Sequence, residues 1–391
     1  MIKIVFIINN LCIGGIQKAF VNLMKELANN YDITLVVFSN HGGLKKALPV
    51  NIKLITLNDK LEVLGLSQKE VMKKGIRSII IRTLGAVFSR VFSNRIPINL
   101  LINKLKLSGN YDYGISYMQF APAKLITGGT NEFLINCVNA TNKITFVHSD
   151  FKNYGGNTFY TQKMYRKFDR IAVCSNSSRE QFLKVLPELS CKTFVVKNCN
   201  DYDEIKKMSD EAMIKYNKEF INVLTVSRLS IEKGVERGIK AIAKCIRKGI
   251  KVKYHIVGDG PEKKRLEQIA AKYGVEKEIN FYGNQINPYS FMKAADLLLF
   301  PSIHEAAGLV VEEARVLKLP ILATKTISSQ EMILDNDLGW ICENNEYDLT
   351  KKLFLLLSNP MILKKKKANI NTLDCNNIIS VQQFNKMINN N

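Results

Sequence analysis

The feature that most constrains this chain is the alternation of short apolar runs with longer helical segments. Runs at residues 2–8, 32–39, 52–57, 113–118, 143–149, 170–175 and 192–198 are rich in β-branched and aromatic residues and too short for core helices. Helical stretches lie between them, and parallel strands need crossovers of that kind to bring the chain back. A polar stretch over residues 199–220 interrupts the pattern, and a second set follows at 222–229, 253–258, 279–283, 296–302, 320–324 and 339–343. The expectation is an α/β protein with two Rossmann-like domains whose parallel sheets face a central cleft. The N-terminal domain spans 1–198 and the C-terminal domain 199–372, with a helix or tail over 373–391 that could pack back on the first. In such sheets ligands bind outside the carboxyl ends of the strands.

A length of 391 residues suits two or three domains, and 46% hydrophobic with 23% charged residues predicts that the chain folds throughout. The formal net charge is +21, which points to a polyanionic partner: nucleic acid, anionic lipid or phosphorylated small molecules. The eight cysteines are scattered, with no C-x-x-C pair and no zinc-ligand spacing, so reduced thiols in a cytosolic protein are expected. The first apolar run stops at Asn9 and Asn10, too soon for a signal peptide.

Between residues 60 and 106 ten basic residues (Lys60, Lys69, Lys73, Lys74, Arg77, Arg82, Arg90, Arg95, Lys104, Lys106) face only Glu62 and Glu70, with Leu, Ile, Val and Phe interleaved. The arginines exclude a spanning helix. Two readings stand: an amphipathic helical hairpin lying on anionic lipid, with Lys73, Lys74, Arg77, Arg82 and Arg90 toward the acceptor membrane, or a solvated helical face packed on the N-terminal sheet.

The most specific segment is PSIHEAAGLVVEEARVLKLPILAT, Pro301 to Thr324, where an apolar strand runs into a loop and a helix opens near Gly308. Glu305 falls in the loop, and Glu313 follows after seven intervening residues. The backbone around Gly308 to Val310 presents unpaired N–H groups that can hold phosphate oxygens, and glycine permits close approach. A second segment, VSRLSIEKGVERGIKAI from Val226, places Arg228 and Lys233 between a strand and a helix. Arginine can clamp phosphate with two N–H bonds, and lysine adds a mobile point charge.

These segments resemble glycosyltransferase family 4, whose E-G-F-G-L-V-x-x-E-A and R-L-x-x-x-K-G elements are similar to E-A-A-G-L-V-V-E-E-A and R-L-S-I-E-K-G here. The resemblance covers nearly the whole chain and implies the GT-B fold and retaining transfer of a hexose or N-acetylhexosamine from a nucleotide-diphosphate sugar. By it, Glu313 holds the ribose hydroxyls, Glu305 sits by the donor sugar, and Arg228 and Lys233 grip the diphosphate. Gly308, Leu309 and Val310 line the phosphate, and Ala307 lines the sugar pocket. Ala306 and Ala307 replace the family's Gly and Phe and reshape that pocket, as in some lipopolysaccharide glucosyltransferases. Gly258 in the G-x-G-P turn shapes the cleft, and the backbone at Tyr282 reads the base. In the first half Gly14 and Gly15 match the paired-glycine loop beneath acceptor and donor phosphate, His148 matches a cleft histidine near the transferred sugar, and residues 112–126 look like capsular and exopolysaccharide members.

The partners implied are a UDP-sugar donor, a glycan or lipid-linked acceptor and an anionic membrane surface on the inner face of the cell membrane, with no nucleic acid and no metal cofactor. The D-x-D of Asp201 and Asp203 resembles the metal signature of the other main glycosyltransferase fold, but lies in the interdomain linker. The rival reading is a basic membrane- or nucleic-acid-binding protein that uses the same fold without chemistry.

Overall fold

The structure, a computed structural model, describes residues 1–57, 59–103, 105–156, 158–373 and 375–389, without the side chains of residues 59, 69 and 156. Lys104 and the Lys69 side chain, both counted in the basic stretch, lie outside the described residues. The chain forms two compact units, one of Met1–Cys199 with Asn377–Asn391 and one of Asn200–Asn376.

The first unit carries seven parallel strands: β1 (Lys3–Ile8), β2 (Asp32–Val37), β3 (Lys53–Thr56), β4 (Leu107–Ser116), β5 (Val138–Val147), β6 (Arg170–Val173) and β7 (Thr193–Val195), in the order β3-β2-β1-β4-β5-β6-β7. The alternation within β1 explains its unbroken apolar run. Ile4, Phe6 and Ile8 join the core on one face, and Val5 and Ile7 join the core on the other. The helix Ile378–Asn389 belongs to this unit, where Phe384, Met387 and Ile388 enter the core of the β1 face. Arg170 Nη1 donates to the carbonyls of Met387 (2.5 Å) and Ile388 (2.8 Å) at the end of that helix, and the Tyr113 hydroxyl donates to Ile388 at 2.7 Å.

The second unit has six parallel strands: β8 (Ile221–Val226), β9 (Val252–Val257), β10 (Ile279–Gly283), β11 (Leu297–Phe300), β12 (Ile321–Thr324) and β13 (Gly339–Cys342), ordered β10-β9-β8-β11-β12-β13. Every apolar run in the sequence corresponds to a strand. Two are longer than their runs, since β4 starts at Leu107 and β5 at Val138. The first half of β4 is largely exposed, that of β5 mixes buried Val138 with exposed Asn139 and Thr141, and a register shift between Leu107 and Tyr111 accompanies the extension, so no continuous apolar run marks it.

In both sheets the strand order reverses beside the first strand of the unit, which has its successor on one side and a later strand on the other: β1 lies between β2 and β4, and β8 between β9 and β11. Such switch points leave a crevice at the carboxyl ends of the two diverging strands. Among the described residues no helix is long and apolar enough to cross a membrane.

Candidate functional site

In the second unit the loops that leave β8 and β11 meet. Gly234 ends the first loop in the left-handed conformation (φ 62°), and a Cβ there would fall 2.0 Å from the Pro301 carbonyl oxygen. Only glycine lets the two loops approach so closely. The contact is reinforced by Arg237, which donates to the Pro301 carbonyl at 2.5 Å and to Asn344 Oδ1 at 2.7 Å, and by the Ile303 N–H, which donates to the Glu232 carbonyl at 2.8 Å. The result is that Lys233 Nζ lies 2.6 Å from Glu305 Oε2, with both side chains mostly enclosed. Two site residues chosen separately from sequence are thus one ion pair.

Glu305 is followed by the helix Leu309–Val316, capped by Gly308 in extended conformation with no side chain to satisfy the first N–H groups. A Cβ on Gly308 would stand 3.0 Å from the Phe300 ring and 3.5 Å from the Glu305 carboxylate. Ala306 is buried, whereas Ala307, Leu309 and Val310 are partly exposed around this helix start. Arg228 projects exposed from the β8 loop; against burial, which acts the other way, the Ser230 hydrogen bond and then the charges of Lys233 and Arg228 hold the Glu232 carboxyl below the usual range. Gly258 closes the end of β9 at φ 136°, where a Cβ would meet the Ser227 carbonyl oxygen at 1.8 Å.

Glu313 is buried at 7% exposure, and the Tyr289 hydroxyl donates to its Oε1 at 3.2 Å. Burial, and after it the Glu313 charge, raises the Tyr289 phenol far above its ordinary value, which keeps it a donor. Tyr282 is fixed through its side chain. Burial pushes His255 down to about 4, so the ring is neutral; with Nε2 donating to Asn222 Oδ1 (3.1 Å), Nδ1 accepts from the Tyr282 hydroxyl (3.0 Å). Asp201 of the D-x-D caps the helix Tyr202–Glu211 by accepting the Glu204 N–H at 3.0 Å, so the motif is a helix start.

Sequence reasoning passed over several groups here. Gly234, Arg237 and Tyr289 hold the predicted residues in place, and the only signal was the glycine after Lys233. The buried hydroxyl oxygens of Ser227 and Ser302, just beyond β8 and β11, have no hydrogen-bond partner among the described residues. Unpaired buried hydroxyls at a switch point mark a place where a polar ligand fits.

The remaining predicted residues lie in the first unit. Gly14 caps the helix Gly15–Leu27 after β1. His148 directly follows β5 with both ring nitrogens engaged: one hydrogen bond joins Nε2 and the Tyr117 carbonyl (2.9 Å) and another joins Nδ1 and Cys174 Sγ (3.1 Å). Burial takes His148 down to about 4 and Cys174 up to about 12, so the thiol donates to a neutral ring.

The basic stretch requires a correction. Lys73, Lys74, Arg77 and Arg90 are exposed, Lys74 pairing with Glu62 at 2.8 Å. Arg82, expected toward the membrane, is instead 8% exposed and donates to the Val63 carbonyl at 2.6 Å and to that of Ile126. It is an interior residue because two carbonyls beneath the helix Ile76–Val91 need a donor.

The fold is that of the GT-B glycosyltransferases, two parallel-sheet Rossmann-like units of seven and six strands. Residues 205–372, nearly all of the second unit, match the family of glycosyl transferases group 1. A TarM variant from S. aureus, in complex with fondaparinux, alpha-GlcNAc-glycerol and UDP, is similar with a TM-score of 0.71 over 100% of both chains at 15% identity. An uncharacterized glycosyltransferase of Methanocaldococcus jannaschii is 26% identical over 179 residues, covering 45% of this chain and 44% of that protein. The lipopolysaccharide glucosyltransferase WaaG of Escherichia coli is 34% identical over 110 residues, covering 28% of this chain and 29% of that one. The chain thus covers less than half the length of the Methanocaldococcus and WaaG relatives.

Proposed function

We propose that this chain is a retaining glycosyltransferase that moves a hexose or N-acetylhexosamine from a nucleotide-diphosphate sugar, with UDP as the nucleotide, onto a glycan or lipid-linked acceptor in surface polysaccharide biosynthesis. The observation that carries this reading is the Lys233–Glu305 pair at the start of the helix Leu309–Val316, beside the diverging strands β8 and β11. As the sugar–phosphate bond breaks, negative charge accumulates on the leaving diphosphate. The Lys233 ammonium, the Arg228 guanidinium and the first N–H groups of that helix are preorganised to receive it. The diphosphate competes for the ammonium, which frees the Glu305 carboxylate for sugar hydroxyls. Glu313, held by Tyr289, takes the ribose hydroxyls. No divalent ion is needed at the leaving group, and added magnesium or manganese should leave the transfer rate unchanged.

An outward apolar stripe on the first unit supports an acceptor at the inner face of the cell membrane. Ile76, Ile80, Leu84, Val87 and Val91 line the exposed side of one helix, with Ile96 and Leu100 on the helix Arg95–Ile102, and Leu84 is 66% exposed. Exposed Lys73, Lys74, Arg77 and Arg90 accompany them. Apolar side chains that can enter the acyl boundary, rimmed by cations, suit an anionic bilayer.

The direct test is a thermal-shift and transfer screen against UDP-, GDP- and ADP-sugars. A ligand at one hundred times its dissociation constant adds about 2.7 kcal/mol of stability. A UDP-sugar that raises the midpoint and turns over with vesicle-borne acceptor supports the reading. Absence of any shift or nucleotide release with all three sets overturns it.

A further inference from the structure

The loops that follow β1, β2 and β3 bring together a thiol, an imidazole and a carboxylate. His41 Nε2 is 2.9 Å from Glu70 Oε1, and Cys12 Sγ is 3.8 Å from the same oxygen. All three ligand atoms lie within 4.8 Å of one another. A zinc ion with bonds of about 2.3 Å to sulfur and 2.0–2.2 Å to nitrogen and oxygen spans such a triangle and keeps a fourth position open.

The ligands are held from behind. Glu70 is fixed by the capping box of the helix Gln68–Val71: its Oε2 accepts the Ser67 N–H at 2.7 Å, which leaves Oε1 toward His41 and Cys12. The Cys12 and His41 loops are joined by backbone bonds, Leu11 N–H to the His41 carbonyl (3.2 Å) and Leu44 N–H to the Leu11 carbonyl (3.1 Å). Gly42, at φ 136°, permits this contact, since a Cβ there would lie 2.0 Å from the Leu11 carbonyl carbon. Cys12 is further tied by its own N–H to Asn10 Oδ1 at 3.0 Å. The His41 side chain is 55% exposed, so an ion can enter from solvent.

We propose that Cys12, His41 and Glu70 form a zinc site that ties these loops of the first unit to one another. The donor set of soft thiolate, imidazole and carboxylate suits zinc rather than magnesium or calcium. Because the ligating form is the thiolate, binding replaces the thiol proton by the metal and releases that proton to solvent. The site rests on loop geometry alone and does not depend on the proposed transfer reaction.

The experiment is a cobalt(II) titration of the full chain, reduced and freed of metal. The expected result is saturation at one equivalent, with a thiolate-to-cobalt charge-transfer band, tetrahedral visible bands, and displacement of both by zinc. Cys12→Ser should abolish the charge-transfer band, and His41→Ala, at an exposed position that leaves the fold unaffected, should weaken zinc by about tenfold or more, at least the cost of losing an outer-shell partner. Cys191→Ser, at an exposed cysteine outside the cluster, should change nothing. An unaltered band in Cys12→Ser, or unaltered affinity in His41→Ala, overturns the assignment, as does failure of the wild-type chain to take up cobalt near stoichiometric concentration.

Discussion

The helix Val235–Arg247 of the second unit and the helix Ile76–Val91 of the first have the same period and opposite polarity. The former buries Val235, Ile239, Ile242 and Cys245 and keeps its charged residues off that face, Arg237 reaching the Pro301 carbonyl. The latter buries Arg82, Gly85 and Ser89 and exposes Ile76, Ile80, Leu84, Val87 and Val91. Each buried polar group is satisfied from inside, Arg82 by two carbonyls and the Ser89 hydroxyl by the Gly85 carbonyl at 2.7 Å. Amphipathic spacing defines two faces of a helix and leaves open which one the protein covers. In the second unit the apolar face meets the sheet and loop cations gather at the strand ends, where the proposed transfer would need them. In the first, the apolar face is exposed.

The largest effect expected from this contrast falls on the second unit. Lys233→Ala removes one preorganised cation and should lower turnover by about two to three orders of magnitude, a loss of roughly 3–4 kcal/mol of transition-state stabilisation. Steady-state kinetics with a UDP-sugar would show it as a fall in kcat. A change confined to KM would mean that Lys233 binds the donor without stabilising the leaving group.

Next in size is Arg82→Leu. On an ordinary buried helix face leucine would stabilise; here it leaves the carbonyls of Val63 and Ile126 unpaired and should cost about 2–3 kcal/mol in denaturant unfolding. A neutral or stabilising result would break the comparison, because the first helix would then differ from the second only by accident of sequence.

These two residues also show what was legible in the sequence. The strands were readable because buried parallel strands carry apolar residues on both faces, as Ile4 to Ile8 do. Lys233 and Glu305 were readable by resemblance, but their pairing depends on Gly234 lying against Pro301, a contact between distant loops that no local pattern encodes. Arg82 was misplaced because a cation in a basic stretch looks solvated until the carbonyls it serves are known. The Cys12, His41 and Glu70 cluster escaped a search for ligand spacing because its members stand 29 and 58 residues from Cys12 and meet only through the crossovers.

A smaller effect concerns the exposed stripe. Leu84→Glu and Val87→Glu should each reduce binding to anionic vesicles by about tenfold, since a half-buried aliphatic chain contributes roughly 1–1.5 kcal/mol. Their unfolding free energy should stay within about 0.5 kcal/mol of wild type, as for surface changes in general. Flotation assays with unchanged binding would show that cations alone hold the surface.

The smallest effect is a pH slope that belongs to the first unit's polar interior. Glu132, on the helix Thr130–Cys137, is 5% exposed, and its Oε2 has no hydrogen-bond partner among the described residues. Burial raises its carboxyl from an ordinary 4.5 to about 7. Its surroundings include Tyr160, whose ring lies 3.5 Å under the Arg95 guanidinium, and Tyr165. A raised carboxyl means that the folded chain binds the proton more tightly than the unfolded one, so its contribution is fully present below about 4.5, declines as pH rises, and is lost above about 7. The slope within that window is at most about 1.4 kcal/mol per pH unit. Glu132→Gln, which keeps the shape and cannot ionise, should be closest to wild type at pH 5 and more stable than wild type at pH 8. Subtracting the two unfolding curves removes the opposite slopes of exposed carboxylates common to both proteins. A difference that does not change between those pH values would mean that Glu132 keeps an ordinary carboxyl and that the interior of the first unit tolerates its charge.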